Sequence, residues 1–236
     1  MRMIGRVAVA CVVAALAGCA IGKPMPSVST YVVELPTDIK QLSQSPRGET
    51  LRIGKVRVAA AYGGETLVYR LDDVRYQADP YHAFIADSGS MFASRIAEWL
   101  GQAGLFTSVT QPETVRPARY LLEATVVELY GDFRSGRAPA AVMAVQFALL
   151  DQSTPRLSVV HECILASRID LARASPDELV RGYGRALADI LSQLVVELSA
   201  ESAPVHGRAA GAPAERPRAP VLSDATTNAS LPRPDE

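Results

Sequence analysis

Three segments, "RYLLEATVVELYGDF", "AAVMAVQFALLDQ" and "RLSVVHECILASRIDL", follow one another with only "RSGRAP" and "STP" between them. Their apolar alternation and length read as long strands. Connections this short join antiparallel neighbours, because a parallel crossover needs a dozen residues or more. The spacing predicts an antiparallel meander, and the rest of the chain must pack around it.

Upstream, "TYVVEL" reads as a first strand. "LRIGKVRVAAAY" alternates Leu51, Ile53, Val56 and Val58 with a slip at Gly54, the mark of a bulge. Gly63-Gly64 predicts a hairpin turn into "TLVYRL", and "DDVRYQAD" is a short extended piece ending at Pro80. Phe92, Ile96, Trp99 and Ala103 share one face of a helix that Ser88 or Ser90 can cap and that Gly101 and Gly104 close. Ser175-Pro176-Asp177-Glu178 opens a second helix, whose stripe is Leu179, Tyr183, Leu187, Ile190, Leu194 and Leu198. The order predicts an α+β fold: an antiparallel sheet with two helices packed on one face, in a single domain.

The N-terminal run Val7–Ala17 is unbroken and apolar behind Arg2 and Arg6, but it falls short of the roughly 20 residues a spanning helix needs. A core helix is disfavoured by Gly22, Pro24 and Pro26. A basic start, a short apolar stretch and small residues at the exit are the features of a secretory signal. The exit, Leu16-Ala17-Gly18-Cys19, resembles the lipobox of bacterial lipoproteins, in which the cysteine thiol takes the lipid and becomes the new N-terminus. Residues 1–18 are then a signal peptide, Cys19 the lipidation site, 19–27 a tether and 28–201 the folded domain. Residues 202–236 are rich in Pro, Ala, Arg, Ser and Thr without apolar periodicity, which predicts a disordered tail. Ala20 rather than Asp after the cysteine favours the outer membrane, by analogy with enterobacterial sorting.

The formal charge of −1 lacks the basic stripe of a nucleic-acid binder. Cys11 leaves with the signal and Cys19 carries lipid, so Cys163 has no internal disulfide partner and reads as a buried inert thiol. His82, His161 and His206 show no metal-ligand spacing, and neither a phosphate-binding glycine loop nor a nucleophile elbow is present. "DSGS" at 87–90 reads as a helix cap; in "HEC", His161 and Cys163 would lie about 7 Å apart on one strand face with nothing to orient the base. No catalytic residue, cofactor or metal is expected.

The aromatics carry more information. Tyr62, Tyr69, Tyr76, Tyr81 and Phe84 crowd the hairpin and the loop before the first helix, with Arg70 and Arg75 among them. Tyr69 and Tyr76 can alternate into the core beside Trp99, or the segment can present an aromatic and basic surface to a partner protein or lipid. Tyr69, Arg70, Tyr76, Tyr81, His82 and Phe84 are the candidate partner-binding residues.

The succession of lipobox, "YVVELP", "RIGKVRVAAAYGGETLVYRLDDVRYQADPYHAF", "EWLGQAGLFTSV" and "YLLEATVVEL" resembles the ABC-type transport auxiliary lipoprotein family, from Val28 to about Ser199. Its most specific piece is Leu67-Val68-Tyr69-Arg70 followed by Tyr76 and the Pro80-Tyr81-His82 loop. In that family the loop usually continues with a Trp and a Pro-rich step; here Phe84 stands in the Trp position and Asp87-Ser88-Gly89 replaces the prolines. The resemblance implies a non-enzymatic lipoprotein anchored to the outer membrane on its periplasmic face. It would be the docking subunit for a mammalian-cell-entry-type periplasmic protein with its permease and ATPase, in the movement of lipids or other hydrophobic molecules. A homo-oligomer is compatible with that role. A lipoprotein that assists assembly of, or plugs, an outer-membrane β-barrel is the alternative, and an envelope hydrolase would have only Ser88, His161 and Cys163 to draw on.

Overall fold

The structure, a computed structural model, describes residues 27–36, 49–114 and 116–201, all within one compact unit. The signal peptide, Cys19, nearly all of the tether and the tail lie outside these residues.

The strands are β1 (Ser29–Tyr31), β2 (Thr50–Val58), β3 (Thr66–Arg70), β4 (Tyr76–Phe84), β5 (Ser108–Thr110), β6 (Tyr120–Asp132), β7 (Ala140–Asp151) and β8 (Ser158–Asp170). Helix α1 (Ser88–Ala103) lies between β4 and β5, and α2 (Pro176–Glu201) follows β8. The α+β class and both helices match the sequence reading. So does the meander, since β6 pairs antiparallel with β7 and β7 with β8.

The sheet is mixed rather than wholly antiparallel, because β6 uses its other edge twice. Its first half pairs in parallel with β2 (Leu51 opposite Tyr120, Val58 opposite Val126), and its end pairs in parallel with β3 (Tyr69 opposite Gly131, Arg70 opposite Asp132). The expected hairpin across Gly63-Gly64 therefore does not form: β2 and β3 lie end to end along β6. The antiparallel partner of β3 is β4. A second correction concerns the loop after Pro80, which belongs to β4 and pairs in parallel with β1 (Ser29 opposite His82, Tyr31 opposite Phe84). The β3–β4 register shifts between Thr66 and Val68, so Pro80 falls in a bulge, where a missing amide hydrogen does no harm. The expected irregularity at Gly54 is present, as the β2–β6 register shifts between Ile53 and Val56.

Asp87 rather than a serine caps α1, its Oδ2 accepting from the Ser90 amide and hydroxyl at 2.8 Å each. Gly104 ends the helix in the left-handed region (φ 72°), which glycine adopts without strain. In α2 the Glu178 amide donates to Ser175 Oγ, Pro176 takes the first helical position, and the apolar stripe is fully buried. The core lies between the helices and one sheet face, with α2 across β7 and β8 and α1 across β2. Inward residues pair strand to strand: Leu122 with Leu149, Ala124 with Phe147, Val126 with Val145.

At Val127 the β6–β7 register shifts, and the inward positions change from even to odd numbers: Leu129 now opposes Met143, and Tyr130 and Asp132 turn to the open face, which no helix among the described residues covers. This bulge decides the composition of the candidate site.

Candidate partner-binding surface

On the helix-free face, Tyr130 packs with Val68 and Val142 as a small apolar cluster separate from the core, with Tyr62 against it. Tyr62 and Tyr130 stack at 5.8 Å between ring centroids, and Tyr76 meets Tyr130 edge-on at 5.4 Å and Tyr62 at 6.0 Å. The Arg70 guanidinium lies 5.6 Å from the Tyr76 ring centre and 6.0 Å from that of Tyr130, within cation–π range. Arg70 is held there by donating to the Asp72 and Asp73 carbonyls at 3.1 Å. Burial, and then the neighbouring Tyr76, push the Tyr62 hydroxyl up to about 12, and burial raises Tyr130. Tyr76 remains 40% exposed, so one ring of the cluster is open to a partner.

An ion cluster adjoins the tyrosines. The Asp132 side chain is fully covered and accepts from Arg134 Nε (2.8 Å), Arg134 Nη2 (2.9 Å) and Arg168 Nη1 (2.7 Å). These hydrogen bonds, Arg134 foremost, outweigh burial and hold the carboxyl well below the usual carboxylate range. Asp73 links the two groups, 2.8 Å from Arg134 Nη1 and 3.8 Å from Arg70 Nη2. The result is a continuous patch of tyrosine rings and paired arginines.

The six candidates from the sequence separate into three places. Arg70 and Tyr76 are in this patch. Tyr69, one residue from Arg70, faces the other way, where its hydroxyl donates to Asp79 Oδ2 at 2.5 Å and its ring stacks on Phe133 at 5.0 Å. His82 Nδ1 reaches the same Asp79 oxygen at 2.7 Å, and the Tyr81 amide donates to Oδ1 at 2.8 Å. Burial alone would raise the Asp79 carboxyl, but the hydrogen bonds from Tyr69, Tyr81 and His82 prevail and lower it; burial and Asp79 together raise Tyr69. Asp79 thus fastens the bulged end of β4, leaving the Tyr81 side chain exposed. Phe84 is a core residue, 2% exposed against Phe92 and Tyr183, and no partner reaches it.

Tyr130 and Asp132 join the patch without a signal from simple alternation, whereas Arg168 lies where alternation from Cys163 and Leu165 puts it, on the outer face of β8. The apolar spacing along β6, two, two and then three residues from Leu122 to Ala124, Val126 and Leu129, does mark the slip that turns Tyr130 outward. His161 and Cys163 share a strand face as expected, but His161 does have an orienting group: its Nε2 is 3.0 Å from Glu197 Oε2 of α2. Burial, then Glu197, push the Cys163 thiol up to about 12, leaving it protonated and a poor nucleophile. Ser88 Oγ is buried and turned to the Gly64 carbonyl at 3.2 Å.

A family model described as the ABC-type transport auxiliary lipoprotein component matches residues 3–195. No curated protein matches the chain. Among solved structures, protein XCC0632 from Xanthomonas campestris is 16% identical with a TM-score of 0.56, covering 72% of this chain and 90% of its own. An uncharacterised protein, also 16% identical, has a TM-score of 0.54 and covers 73% of this chain and 99% of its own. At these identities the likeness is one of fold. Among the described residues no helix is long and apolar enough to cross a membrane.

Proposed function

We propose a docking role for this chain, which belongs to the ABC-type transport auxiliary lipoprotein family. It is held by a lipid on Cys19 at the periplasmic face of the outer membrane, and its domain receives a mammalian-cell-entry-type periplasmic protein whose permease and ATPase drive the movement of lipids or other hydrophobic molecules. The observation that carries this reading is the helix-free sheet face, where Tyr62, Tyr76 and Tyr130 gather around Arg70. Rigid aromatic rings and arginines are the side chains that interfaces favour, since they bury much area for little lost rotamer freedom. A triacylated cysteine supplies several acyl chains, each buried CH₂ contributing about 0.8 kcal/mol, so the anchor holds firmly.

The role is non-enzymatic. The thiol of Cys163 is protonated, Ser88 is buried on a carbonyl, and Asp132 of the open face is committed to Arg134 and Arg168.

Affinity capture of the native lipoprotein from envelope extracts tests the reading. A permease, ATPase or periplasmic substrate-binding protein is expected to co-purify, and Arg70→Ala with Tyr76→Ala is expected to cut recovery about tenfold or more, the loss of two interface anchors. Recovery of none of these partners, or of a β-barrel instead, contradicts it.

A further inference from the structure

Away from the open face, the last strand and the last helix bring three metal-binding side chains together. His161 and Cys163 stand at alternate positions of β8, both on the side that faces α2. Glu197 comes from α2, 36 residues beyond His161. His161 Nε2 and Glu197 Oε2 are 3.0 Å apart, and one ligand atom from each of His161, Cys163 and Glu197 lies within 4.8 Å of the other two. All three residues are half-buried.

We propose that His161, Cys163 and Glu197 form a Zn²⁺ site that fastens β8 to the C-terminal turns of α2, with water in the fourth position. Imidazole, thiolate and carboxylate are the three ligand types zinc takes, while Mg²⁺ and Ca²⁺ require oxygen throughout. Bonds of about 2.0–2.3 Å in tetrahedral geometry set ligand atoms about 3.3–3.6 Å apart. The His161–Glu197 pair therefore opens slightly and the widest pair closes by about 1 Å, a side-chain rotation rather than a backbone shift. Two ligands fixed on one strand face leave only Glu197 to be positioned, and its side chain is 39% exposed and can turn. Charge balances as well: Zn²⁺ meets one thiolate and one carboxylate, so no net charge is left in a half-buried place. On binding, the Cys163 S–H bond breaks, its proton goes to solvent and the Sγ–Zn bond forms. The imidazole stays neutral, its proton residing on Nδ1 while Nε2 takes the metal.

The test uses the full chain with Cys11 and Cys19 replaced by Ser, leaving Cys163 the one thiol. Co²⁺ is the spectroscopic probe. A thiolate-to-cobalt charge-transfer band in the near ultraviolet is expected, with displacement by Zn²⁺ and a rise of several degrees in Tm on adding Zn²⁺. Cys163→Ser, whose fold circular dichroism checks, is expected to lose both. H161Q and E197Q are each expected to weaken Zn²⁺ binding about tenfold or more, since even loss of an outer-shell partner of a metal ligand costs that much. Absence of the band overturns the proposal. So does a band that survives both H161Q and E197Q, which would report adventitious binding to the thiol alone.

Discussion

Asp132 is a carboxylate with no exposed side-chain surface that stays charged because Arg134 and Arg168 donate to both its oxygens. Its pKa in the folded protein is lowered, whereas in the unfolded chain it is near 3.9. A lowered folded-state value means that its stabilisation is complete above about pH 4 and fades as the pH falls toward the folded-state pKa. Asp132→Asn is expected to cost about 1–3 kcal/mol at pH 7, because two arginines lose a charged acceptor while keeping access to water. Urea unfolding from pH 7 to 2.5 checks this: the gap between wild type and D132N is expected to close below pH 4. A gap of constant size across that range contradicts the assignment. The sequence placed Asp132 in a strand but not on a face. Strict alternation from Leu122 puts Tyr130 and Asp132 inside, and the one-residue bulge at Val127 puts both outside. A bulge is chosen by the fit between two strands, so one strand's residues record it only as a broken spacing.

Among the elements, α2 shows how close packing reverses a local preference. Gly182 lies inside the helix, where alanine is ordinarily better by about 1 kcal/mol. A Cβ at Gly182 would meet Ala141 Cβ at 2.6 Å and Leu171 Cδ2 at 2.7 Å, whereas one at Gly101 in α1 meets only Val109 Cβ at 4.0 Å. Overpacking costs about 1–3 kcal/mol, more than the propensity gain. Gly182→Ala is therefore expected to lower Tm by several degrees and Gly101→Ala to leave it unchanged or raise it, as differential scanning calorimetry would show. Equal shifts in one direction would mean that α2 does not sit this close to β7. Both helices were legible because their 3.6-residue stripes and caps are local, and the meander because its connections are too short for anything else. The β2–β3 hairpin misled for the complementary reason: Gly63-Gly64 permits a tight turn, but both strands find a better partner in β6, far along the chain. Parallel pairing to a distant strand leaves no mark in the residues between.

At the scale of the domain, the described residues cover one sheet face with α1 and α2 and leave the other without a helix, and the family to which the chain belongs works as an accessory to a transporter. The sequence reading gathers Tyr69 to Phe84, on the hairpin and the loop before the first helix, as one candidate surface. The strands divide it instead: Phe84 goes to the core, Tyr69 and His82 fasten β4 through Asp79, and Arg70 and Tyr76 reach the open face. That division makes Tyr76 the informative position, exposed yet held by Tyr62 and Tyr130. A photoreactive amino acid at Tyr76, activated in intact envelopes, tests the docking surface most directly. The expected result is one dominant crosslink to a periplasmic substrate-binding or permease subunit, absent when the same amino acid replaces Glu113 beside α1. Crosslinking to a β-barrel, or equal crosslinking from both positions, would contradict the open sheet face as the docking surface.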